Sequence, residues 1–142
     1  METIDKTNAK KTIFELIKKG EFERAEALES SHSFSQMEIG NIASKAYTEL
    51  TSKEKFEEAV LVTEHFGLPS EKKIEAVSAQ FRLYNKKREY DKAIEWGKQY
   101  KLPASEINNI SVKAFNEALN SKEVEKALEI RQKYNIPLNL IV

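Results

Sequence analysis

Apolar and small residues recur along this chain at helical spacing, and the helical pattern itself returns every 34 residues. From Ile39 onward, Ile42, Ala43, Ala46, Tyr47 and Leu50 fall on one face of a helix. Ser35 followed by Glu38 reads as a capping box that opens it. The next apolar stripe, Phe56, Ala59, Val60 and Val62, runs to Gly67 with Pro69 just beyond, a stop signal. Set in register, Ile13, Tyr47, Phe81 and Phe115 share one column, and Phe22, Phe56, Tyr90 and Val124 another. Ala25, Ala59, Ala93 and Ala127 form a third, and Leu28, Val62, Trp96 and Ile130 a fourth. Each unit closes on Phe66, Tyr100 or Tyr134, then Leu68, Leu102 or Ile136, then Pro69, Pro103 or Pro137.

A repeat of this length denotes stacked helical hairpins, each burying its apolar face on its neighbours. The pattern predicts an all-α fold, a right-handed α-α superhelix of about four hairpins in one domain, 1–142. The repeats span about 1–34, 35–68, 69–102 and 103–136, with a tail at 137–142. The helices are expected at 8–19, 21–30, 35–51, 54–66, 70–86, 89–101, 104–120 and 123–135. Glu23, Glu57, Asp91 and Glu125 open every second helix, where an acid complements the positive helix terminus. Gly67, Lys101 and Asn135 share a column where the chain is expected to turn left-handed. The first hairpin reads as shorter than the rest. The apolar tail Leu138, Asn139, Leu140, Ile141, Val142 reads as a cap on the last hairpin, with self-association as its other use.

Composition narrows the function. Lys+Arg and Asp+Glu balance at 23 each, so the chain as a whole offers no net field for nucleic acid or anionic membrane. A mean hydropathy of −0.59 and the lack of a long apolar run exclude a membrane span. No apolar leader stands at the N-terminus, and a cytoplasmic protein is the expectation. Without cysteine there is neither a disulfide framework nor a thiolate nucleophile. His32 and His65, the two histidines, fall in different columns, and no motif with a catalytic mechanism occurs. Neither enzyme activity nor a cofactor or metal is expected.

The openings Phe22-Glu23-Arg24-Ala25, Phe56-Glu57-Glu58-Ala59, Tyr90-Asp91-Lys92-Ala93 and Val124-Glu125-Lys126-Ala127 resemble the tetratricopeptide repeat. The unit ends Gly67-Leu68-Pro69 and Asn135-Ile136-Pro137 are more distantly similar to pentatricopeptide repeats. The chain departs from the tetratricopeptide pattern where a small residue normally lets the paired helices approach. That column is bulky here, as Ile13, Tyr47, Phe81 and Phe115. The resemblance implies a groove lined by the first helix of each hairpin, which binds a protein or peptide through Asn, Lys and Arg.

First-helix positions outside the core carry Asn41, Ser44, Thr48 and Thr51, then Glu75, Ser78, Arg82 and Asn85, then Asn109, Val112, Asn116 and Leu119. Uncharged amides and hydroxyls suit hydrogen bonding to an extended peptide backbone. Lys45 and Lys113, one turn from Thr48 and Asn116, are placed to receive a ligand carboxylate. The expected function is a protein-interaction scaffold using this face. The alternative is nucleic-acid binding through basic turns, above all Lys86, Lys87 and Arg88 as phosphate contacts, with Tyr84, Tyr90 and Trp96 as stacking groups. Residues 69–102 hold nine Lys+Arg against five Asp+Glu, whereas 35–68 hold three against six. A basic segment therefore abuts an acidic one.

Overall fold

The 34-residue period reappears as helix spacing. The structure, a computed structural model, describes residues 2–136, with side chains from Lys6 onward. Within these, eight α-helices follow one another: α1 (Glu2–Lys18), α2 (Phe22–Ser31), α3 (Gln36–Ser52), α4 (Phe56–Phe66), α5 (Ser70–Lys86), α6 (Tyr90–Gln99), α7 (Ala104–Asn120) and α8 (Val124–Tyr134). The first helix of every hairpin is 17 residues long, and the second is 10 or 11.

The helices gather into two compact units, Met1–Gln80 and Phe81–Val142. In the first, α1 packs on α2 and α3, and α3 packs on α4. Ile13, Ile17, Val60 and Val62 are its large fully buried side chains. In the second, α6 packs on α7 and α7 on α8. Phe81, Ala93, Ile94 and Ile110 form one core cluster there, and Phe115, Ala118, Ala127 and Ile136 another. The alanine column 25, 59, 93 and 127 is wholly buried, at 0% exposure in all four repeats.

Two turn columns are left-handed. Ser33, Gly67, Lys101 and Asn135 turn between hairpins, with φ of 52°, 61°, 56° and 51°. Gly20, Glu54, Arg88 and Lys122 turn within hairpins, with φ of 79°, 58°, 61° and 62°. The first column was legible from Gly67 and Asn135. The second was not, because only Gly20 advertises it.

The helix boundaries differ from expectation for identifiable reasons. Glu54 is left-handed and cannot belong to a helix, so α4 starts at Phe56 rather than 54. Lys101 likewise lies beyond α6, and the Leu102 N–H closes back on the Gly97 carbonyl at 2.8 Å. The expected start at residue 8 was late, and the first hairpin is not short: α1 and α2 match α5 and α6 in length. The early turns of α1 lack an apolar stripe because Asn8 and Thr12 stand exposed where Ile42, Ile110, Ala46 and Ala114 are buried. Lys6 and Lys10 instead hold Glu38 of α3 at 3.3 and 3.7 Å. Val124 departs from its aromatic column and is 55% exposed. The capping or docking role expected of 138–142 lies outside the described residues.

Candidate interaction surface

The polar strip of α3 is set by what its other face buries. Ile42, Ala43, Ala46, Tyr47 and Leu50 point inward, which leaves Asn41, Lys45 and Thr48 exposed and Ser44 half-buried. The helix starts at the predicted capping box: the Glu38 N–H donates to Ser35 Oγ and the Ser35 N–H to Glu38 Oε1, both at 3.1 Å. That Ser35 amide, ahead of the Lys6 ammonium, holds the Glu38 carboxyl below its ordinary value.

Asn41 and Ser44 line an open cavity of about 630 Å³ with Met37 and Gly40 of α3 and with Phe66 and Pro69 at the end of α4. Met37 is 78% exposed, and no atom lies within 4 Å of where a Gly40 Cβ would stand. The cavity therefore joins amide and hydroxyl groups to an apolar wall. Such a mixture can hold a backbone and one apolar side chain. Lys45 and Thr48 lie beyond it, and Thr48 Oγ1 donates to the Ser44 carbonyl at 3.0 Å.

In the second unit, Lys113 Nζ of α7 donates to Asn85 Oδ1 of α5 at 3.2 Å and stands 5.8 Å from the Tyr90 ring centroid. Arg82, Asn109 and Asn116 are exposed there, and Ser78 of α5 is half-buried in the first unit. The structure thus brings Asn41 to Ser44, and Asn85 to Lys113.

Lys86, Lys87 and Arg88 are exposed at the α5–α6 turn. Arg88 lines a second open cavity, of about 490 Å³, with Tyr90, Asp91, Glu117, Ser121 and Lys126. Three acids line it with the two cations, counting Glu123, and Arg88 Nε lies 3.9 Å from Glu117. Burial, reinforced by the Glu117 carboxylate, pushes the Tyr90 phenol up to about 12. Tyr84, Tyr90 and Trp96 all pack against the Phe81–Ile110 cluster, so their rings serve the core.

One arrangement escaped the sequence. His65, in the last turn of α4, contacts the Glu26 carboxylate of α2 through Nε2. Its ring stacks on Phe22 at 4.5 Å and 24° and meets Phe66 edge-on at 4.8 Å. Glu29, one turn along α2 from Glu26, is only 7% exposed, and its buried Oε1 has no hydrogen-bond partner. Burial first, and the Glu26 charge second, raise its pKa, with His65 opposing. The clue was positional: Glu29 shares a column with Thr63 and Gly97, which are also buried.

Among the described residues, no group of three His, Asp or Glu side chains is arranged to hold a metal ion. No helix among them is long and apolar enough to cross a membrane. Compared with protein-family models, curated proteins and solved structures, the chain matches none.

Proposed function

We propose that this chain is a tetratricopeptide-like interaction scaffold that binds a peptide or helical segment of a partner protein along its first-helix face. The observation that carries the reading is the cavity beside α3, where Asn41 and Ser44 stand opposite the Phe66–Pro69 wall. Amide and hydroxyl groups there match the hydrogen-bonding groups of an extended backbone, and the wall and Met37 supply apolar contact for a side chain. The Asn85–Lys113 pair supplies a cation and an amide on equivalent helices of the second unit. A cytoplasmic scaffold without catalytic chemistry is part of the same proposal. Nucleic-acid binding through Lys86, Lys87 and Arg88 is the weaker alternative, because the cavity that Arg88 lines carries more acids than cations.

The test uses Gly40, a helical position of the cavity wall where space is free. Gly40→Leu places a side chain where nothing lies within 4 Å, so it should fill the cavity without crowding the core. Partners captured from lysate by the full chain are first reduced to a binding peptide. Its affinity should then fall about tenfold or more with Gly40→Leu or Asn41→Ala, the loss of a hot-spot contact. Unchanged affinity in both variants would remove the α3 cavity from the reading. Capture that disappears on nuclease treatment would favour the basic turns.

A further inference from the structure

Glu26, Glu29 and His65 confront two carboxyl groups with one imidazole. Glu26 and Glu29 lie three residues apart on one face of α2, and His65 closes on them from α4. Phe22 and Phe66 flank the imidazole on two sides, while the Glu26 carboxylate beside it stays open to solvent and Glu29 is the buried member of the group. Glu29 Oε1 is buried and has no hydrogen-bond donor among the described residues. A carboxylate so placed is costly, whereas the protonated carboxyl is tolerated. The column explains the burial. Gly97, at the equivalent position of α6, has Ile107 and Phe81 around it, and Thr63 in α4 satisfies its hydroxyl on the Val60 carbonyl at 2.6 Å. Glu29 alone puts an acid at this buried position.

We propose that Glu26, Glu29 and His65 form a proton-operated clasp between α2 and α4, closed while Glu29 is protonated and loosened when it ionises. When protonated, Glu29 adds no charge, and the single imidazole serves Glu26. When Glu29 ionises, two carboxylates on one helix face compete for that imidazole, and the new charge sits without solvation. The charged groups that face Glu29 are Glu26 from its own helix and His65 from α4. The sign follows from the raised pKa: the folded state binds the proton more tightly than the unfolded chain. Its contribution is complete below the ordinary glutamate value of 4.5 and is lost as pH rises through the raised value. Because His65 also lines the cavity beside Asn41 and Ser44, opening the clasp would disturb one wall of that cavity. The clasp itself requires no binding partner.

The experiment is a titration of the full chain. The Glu29 side-chain carboxyl, followed by carbon NMR, should have its midpoint above 4.5. The urea midpoint of the wild type should fall as pH rises from about 5 to about 9, more steeply than that of Glu29→Gln, which exceeds the wild type at the alkaline end. Hydrogen exchange, corrected for its intrinsic pH dependence, should quicken at α2 amides in the wild type and not in the variant. A carboxyl midpoint at or below 4.5 would overturn the clasp, and it needs no variant to fold. Parallel pH profiles for wild type and Glu29→Gln would overturn it as well, since a purely structural role shifts both by a constant amount.

Discussion

The Tyr47 hydroxyl donates a 2.7 Å hydrogen bond to the Lys72 carbonyl oxygen, fastening α3 to the first turn of α5. The Lys72 ammonium lies 4.8 Å from the centre of the same ring. Tyr47 is the one member of its column that carries a hydroxyl, the others being Ile13, Phe81 and Phe115. Tyr47→Phe keeps the ring and removes the bond. It should cost about 0.5–1.5 kcal/mol in urea denaturation at neutral pH, the net worth of one such bond. Burial, and then the Glu75 charge, raise the Tyr47 pKa above 10.0. That contribution to stability is complete below 10.0 and is lost as pH rises through the raised value, so the alkaline loss should be smaller in the Phe variant.

Gly97 is needed for proximity rather than for backbone freedom. A Cβ at this position would meet Ile107 Cγ1 at 3.0 Å and Phe81 Cε1 at 3.2 Å. Alanine favours a helix over glycine by about 1 kcal/mol, but overpacking costs about 1–3 kcal/mol. Gly97→Ala should therefore leave stability level or lower it by up to about 2 kcal/mol, the difference of those two terms. Gly40→Ala, with nothing within 4 Å, should gain from the same propensity. Thermal denaturation of the two variants side by side checks the contrast.

Ile94 and Leu128 stand in the same column and differ completely in environment. Ile94 is 1% exposed within the Phe81–Ile110 cluster, and Leu128 is 56% exposed. Ile94→Ala should cost about 2–5 kcal/mol through transfer and cavity terms. Leu128→Ala should stay within about 0.5 kcal/mol, as exposed substitutions do. Equal losses, measured by chemical denaturation, would show that Leu128 is covered in solution.

Lys101 and Glu54 occupy left-handed positions where Gly67 and Gly20 serve other repeats. A side chain there costs about 1–2 kcal/mol, partly offset by the greater chain entropy of glycine when unfolded. Lys101→Gly and Glu54→Gly should each raise stability by about 0.5–1 kcal/mol, read as a higher urea midpoint.

Much of the candidate surface was legible, because helical spacing assigns outward positions once the inward ones are known. Asn41, Lys45, Thr48, Arg82, Asn109, Lys113 and Asn116 are exposed as that reasoning requires, whereas Ser44, Ser78 and Asn85 are half-buried. What spacing could not supply was which of them share a cavity. The wall opposite Asn41 and Ser44 comes from Phe66, Gly67, Leu68 and Pro69, more than twenty residues downstream. The columns of Tyr90 and Trp96 were legible too, because the repeat register puts apolar residues there; Tyr84, read only as a stacking group, also packs on the core.

The repeat alone determined the all-helical hairpins, the buried alanine column and the Ser35–Glu38 cap, since each depends on spacing within a unit. Tertiary structure decided where those regularities fail. Val124 and Leu128 have apolar side chains in columns whose other apolar members are at least half-buried, yet they stand exposed because burial depends on a neighbouring element, which a column cannot record. Glu29 has a charged side chain at a buried position, and its meeting with His65 spans 36 residues of sequence. Local propensity is carried by consecutive residues, but solvent exclusion and the pairing of charges belong to surfaces that exist only after helices pack.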